Sequence, residues 1–96
     1  MSQRRQKMTQ QTAEAIAAQG LAFLAEDPAR LSRFLTLTGI EPDELRAQVE
    51  TPGFLAAVLD YIANDESLLL VFTANASIAP ESIAPALHLL HGHGPL

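Results

Sequence analysis

The chain reads as all-α, a compact bundle of five to six short helices, and three observations carry that reading. Almost half of its 96 residues are apolar, and Ala and Leu, both good helix formers, dominate them, with only four Phe and one Tyr. The apolar residues recur at helical spacing rather than alternating as in a strand. Each such segment is preceded by an acid or a hydroxyl, in most cases next to a proline, which is the signature of a helix start.

The first helix is expected over about 13–26, with Thr12 as its cap and Glu14 set against the positive helix end. Ile16, Gly20, Phe23 and Leu24 share one face, widened by Ala17 and Leu21, while Ala15, Ala18, Ala22 and Ala25 form a narrow stripe read as filler of an exposed face. Asp27-Pro28 starts a second helix over about 28–38, which buries Leu31, Phe34 and Leu35, with Thr38 at the margin of that face. Arg30 and Arg33 stay in water, and Gly39 supplies the stop. In Ile40-Glu41-Pro42-Asp43-Glu44-Leu45, Ile40 is placed to pack on Leu45 as a hydrophobic staple, opening a third helix that runs to about Glu50. Thr51-Pro52 opens a fourth, about 52–64, whose buried side is Phe54, Leu55, Val58, Leu59 and Ile62. Asp65 caps a fifth, about 66–76. A second staple, Ile78 to Ile83 around Pro80, leads to a last helix ending near Leu90, before Gly92 and Gly94. An interior proline costs about 3 kcal/mol, so Pro85 requires that helix to begin nearer Ser82 or to bend.

Two stretches, Phe23–Leu45 and Tyr61–Ile83, lie 38 positions apart and align without a gap. Across 21–45 against 59–83, seven of 25 pairs are identical, among them Asp27/Asp65, Phe34/Phe72, Ile40/Ile78 and Pro42/Pro80. The expectation is two helical units of about 38 residues related by pseudo-twofold symmetry. They should close into one bundle, because an open solenoid needs at least about three repeats. The mismatches separate the copies: Arg30, Ser32 and Arg33 in the first stand against Leu68, Leu70 and Val71 in the second. A helix apolar on all sides is a buried helix. Either the fifth helix is the centre of the bundle, or its extra face, Leu68, Leu70 and Val71, is covered by a second copy or another protein.

Length places the chain as one domain, 12–91, between a disordered basic tail at 1–11 and a flexible one at 92–96. The absence of cysteine removes disulfides, thiolate metal sites and a Cys nucleophile, and fits a reducing cytoplasm. No apolar run, Leu68–Phe72 included, approaches the roughly 18 to 20 residues that span a membrane. Arg4, Arg5 and Lys7 precede every acid, whereas residues 13–96 hold three arginines against eleven carboxylates, a net charge of about −8. That body would repel a phosphate backbone, leaving weak nucleic-acid or acidic-partner binding to the N-terminal tail alone.

No phosphate loop, zinc-protease motif or Schiff-base lysine occurs, so no catalytic residue and no cofactor are expected. The carboxylate pairs Glu26-Asp27 and Asp65-Glu66 are explained by their position at helix starts. Three histidines, His88, His91 and His93, form the one constellation with ligand spacing for zinc or nickel, although no acid near them in sequence is placed to support a site.

Four segments also carry a resemblance: FLAEDPARLSRFLTLTGI (Phe23–Ile40), PDELR (Pro42–Arg46), PGFLAAVLDY (Pro52–Tyr61) and DESLLLVF (Asp65–Phe72). In that order they resemble the Domain of Unknown Function 3572 family, short alphaproteobacterial proteins, over about residues 13–91. The resemblance implies a compact all-helical bacterial protein and brings no activity or site residue with it. The functional expectation is therefore a small non-enzymatic interaction or regulatory protein, with a homodimer or protein partner at the fifth helix and metal binding by the histidines as the alternative.

Overall fold

Side-chain caps set where the helices begin, and the computed structural model, which describes residues 8–49 and 51–91, shows these caps formed. Helix α1 (Gln10–Ala25) starts three residues before the expected point, because the Thr9 hydroxyl, and not that of Thr12, accepts the first free N–H, from Thr12 at 3.1 Å. The earlier start carries Ala13 into the core, where it is fully buried. Helix α2 (Pro28–Thr38) is capped by Asp27, whose Oδ1 accepts from the Ala29 N–H at 3.0 Å, and ends at Gly39 in the left-handed region, φ 76°. Thr38 is exposed rather than at the edge of the buried face, and its hydroxyl donates to the Phe34 carbonyl at 3.0 Å.

The third helix divides into a 3-10 turn (Pro42–Glu44) and a short α3 (Leu45–Gln48), with the Glu44 carboxylate accepting from the Glu41 N–H at 3.2 Å. Its expected end at Glu50 falls outside the described residues. Thr51 caps α4 (Pro52–Ala63) through the Phe54 N–H at 3.2 Å, and Asp65 caps α5 (Glu66–Ala76) through the Leu68 N–H at 3.1 Å. A second 3-10 turn (Pro80–Ser82) leads into α6 (Ile83–His91). Pro85 is then third in α6, inside the first turn, where a missing N–H breaks no helical bond. The expected stops at Gly92 and Gly94 lie outside the described residues. Among those residues there is no strand, and no single helix is long and apolar enough to cross a membrane.

The centre of the bundle is α4, not the fifth helix. Phe54, Leu55, Ala56, Val58, Leu59 and Ile62 are all buried, and α4 packs against α1, α2, α5 and α6. Gly20 lets α1 approach: a Cβ there would lie 3.0 Å from Ile62 Cδ1 and 3.3 Å from Val58 Cγ1. Helix α6 packs on both α1 and α4, which confines α5 to one flank, and α5 buries only Phe72 and Thr73.

Local geometry repeats at the 38-residue offset. Asp27 and Asp65 have backbone angles of −126°/106° and −125°/103°, both 11-residue helices end in a left-handed residue (Gly39, Ser77), and both are followed by a 3-10 turn at a proline. The units then diverge, α3 having four residues where α6 has nine.

Candidate interaction surface

Because α5 is held from one side, its opposite side faces solvent. Ser67, Leu70, Val71 and Ala74, spaced as one helical stripe, are all exposed, Leu70 at 49% and Val71 at 46% of their possible surface. Leu68, the third apolar residue expected there, is turned further round the helix and packs half-buried on the core. From Ser67 to Pro80 the chain has no charged residue, and acids bracket that stretch: Asp65 and Glu66 before it, Glu81 after it. Beside the stripe, α1 and α5 enclose a shallow cleft of about 220 Å³ between Gln19, Phe23, Glu26, Phe72 and Asn75. Its floor is the Phe23–Phe72 ring pair, with centroids 5.4 Å apart.

A second apolar exposure lies on α2, and the sequence reading did not single it out. Leu37 is 70% exposed and borders Arg33, Thr36 and Tyr61. Next to it, the chain after Gly39 folds back on α2 and leaves an open cleft of about 520 Å³ over Leu31, Leu35, Ile40 and Pro42. Leu37 could have been noticed as the one large apolar side chain off the buried face of α2. The cleft could not, since it arises from packing of residues 39–42 against the helix. Of the two arginines on α2, Arg30 is drawn over the Phe23 ring, 4.6 Å from its centroid, and Arg33 is exposed.

The histidines divide as well. His88 and His91 are exposed one turn apart on α6, and His93 lies outside the described residues. Contrary to the sequence reading, an acid does stand beside them: His91 Nε2 is 2.8 Å from Asp60 Oδ2 on α4, a pair 31 positions apart that only helix packing brings together. No group of three metal-ligating side chains is assembled among the described residues. The basic residues of the N-terminal tail, Arg4, Arg5 and Lys7, lie outside them too. Of the carboxylate pairs, Asp27 and Asp65 are helix caps, and no nucleophile and base are joined by a hydrogen bond among the described residues.

A family model described as "Protein of unknown function (DUF3572)" matches residues 10–93. No curated protein and no solved structure matches the chain.

Proposed function

The chain belongs to the DUF3572 family of proteins of unknown function, and we propose that it is a small, non-enzymatic interaction protein whose docking face is the outward side of α5. The observation that carries this is Leu70 and Val71 half-exposed on a helix without a charge from Ser67 onward. Burying such a side chain from full exposure is worth about 1.5–3 kcal/mol and these are about half-exposed, so each would gain about 1 kcal/mol, and a folding-only role leaves unused the stabilisation that a docked surface recovers. We take the setting to be the bacterial cytoplasm, in keeping with a chain free of cysteine.

A photo-crosslinking residue at position 70, compared with one at Ala18 on the exposed side of α1, tests this in native cells. A discrete adduct at 70 that is missing at 18 is expected. The same smear, or nothing, at both positions overturns the reading. The His91–Asp60 contact gives a metal-binding reading its own observation. Calorimetric titration with Zn²⁺ and Ni²⁺ decides that case: binding tighter than about 10 μM that is lost in His91→Ala supports it, and no saturable heat ends it.

A further inference from the structure

Resting on α5 as the docking face, we infer that its occupant is an amphipathic helix bearing Lys or Arg beside its apolar stripe, supplied by another protein and not by a second copy of this chain. The shape of the face calls for a helix. Ser67, Leu70, Val71 and Ala74 make a ridge about 11 Å long, and the Phe23–Phe72 cleft runs beside it as a groove, the relief into which a facing helix packs.

Charge selects the kind of helix. Carboxylates border the face on several sides: Asp65 and Glu66 at the start of α5, Glu26 lining the cleft, and Glu81 in the 3-10 turn packed against α5. None of the four forms an ion pair among the described residues. Arg30 stacks on the Phe23 ring, 4.6 Å from its centroid, and no Lys or Arg follows Arg46. An apolar strip with an acidic rim is complementary to an apolar strip with a basic rim.

The same charges act against self-association. A twofold dimer through α5 places the same patch on both sides of the interface. Packed antiparallel, Asp65 and Glu66 of one copy would meet the Glu81 end of the other; packed parallel, they would meet themselves. Acid faces acid in both arrangements, and residues from 47 onward offer no cation to relieve it.

The test uses the full chain and two fluorescein-labelled helical peptides of about 18 residues with one Leu/Ala stripe, carrying Lys at every polar position in one and Glu in the other. In anisotropy titrations at low salt, the Lys peptide should bind at least tenfold more tightly than the Glu peptide, and the preference should shrink at 0.3 M salt as the charges are screened. Leu70→Ser/Val71→Ser should weaken the Lys peptide at least tenfold, while Leu37→Ser on α2 should leave it within twofold; circular dichroism verifies that each variant is folded. Glu26→Gln/Glu66→Gln/Glu81→Gln, which leaves the apolar stripe intact, should cost several-fold and flatten the salt dependence.

Equal binding of both peptides, no binding of the Lys peptide, or binding undiminished by the Leu70/Val71 change overturns the inference. Light scattering separates its failure from that of the docking face itself. A concentration-dependent doubling of mass that Leu70→Ser/Val71→Ser abolishes keeps α5 as an interface and overturns the basic helix as its occupant.

Discussion

Gly20 and Gly53 are both helical glycines, and their surroundings predict opposite responses to the same substitution. In a helix, Ala is preferred to Gly by up to about 1 kcal/mol. A Cβ at Gly53 would meet nothing within 4 Å, so Gly53→Ala is expected to stabilise the protein by about 0.5 kcal/mol. At Gly20 the new carbon would press on Ile62 Cδ1 and Val58 Cγ1, both on fully buried side chains that would have to shift by a few tenths of an ångström. Overpacking of this kind costs about 1–3 kcal/mol, so Gly20→Ala should lose about 1 kcal/mol net and Gly20→Val considerably more. Urea midpoints of the variants provide the check, and a Gly20→Ala as stabilising as Gly53→Ala would show that α1 and α4 are not in tight contact. What was legible at this scale was Gly20's place on the buried face. Its partner residues were not, because they lie in another helix, and for the same reason the meeting of His91 with Asp60 was hidden. That half-exposed pair is worth no more than about 1 kcal/mol.

Helix ends were the most legible elements, because a cap acts over three or four residues and its whole chemistry sits in one short stretch. Asp27, Thr51 and Asp65 all cap where the sequence places them, and only the first helix starts elsewhere, since Thr9 and Thr12 compete for one role. The C-terminal ends of α2 and α5 supply a matched pair of experiments. Both end in a left-handed residue, but α2 uses Gly39 at φ 76° and α5 uses Ser77 at φ 57°. An L side chain costs about 1–2 kcal/mol in that conformation. Ser77→Gly should therefore raise stability by about 1 kcal/mol, and Gly39→Ala should lower it by a similar amount. If Ser77→Gly has no effect on the urea midpoint, the serine hydroxyl offsets the backbone cost. The candidate face on α5 was legible in the same local way, as the apolar copy of an arginine-bearing helix. Leu68, two residues before Leu70, projects from another side of the helix and packs half-buried on the core, a placement that depends on which side the bundle occupies.

At the scale of the molecule, α4 and α5 are both rich in apolar residues, and which one becomes central depends on where α6 packs. Helix α6 lies on α1 and α4, so the first half of the chain is completed by helices from the second. The ring contacts follow the same cross-over: Phe23 of α1 meets Phe72 of α5, and Tyr61 of α4 meets Phe34 of α2 at 5.3 Å. Under the 38-residue offset Phe23 corresponds to Tyr61 and Phe34 to Phe72, so both ring contacts pair one stretch of the chain with the other. A core shared in this way has a consequence for cutting the chain. Fragments 1–50 and 51–96 are each close to the size below which a lone core seldom suffices, and each would expose the surfaces that the other covers. Each alone is expected to show well under half of its native helicity by circular dichroism, and an equimolar mixture should recover most of it. Phe72→Ala in the second fragment, which removes a fully buried ring, should weaken that recovery, as a loss of about 3–5 kcal/mol is large against the stability of so small a protein. A fragment that unfolds cooperatively by itself would mean that the units are separately stable and merely adjacent. The cross-packing of α1 with α4 and α6 argues for the first outcome, since α1 on its own has only α2 and the short α3 to cover Ile16, Phe23 and Leu24.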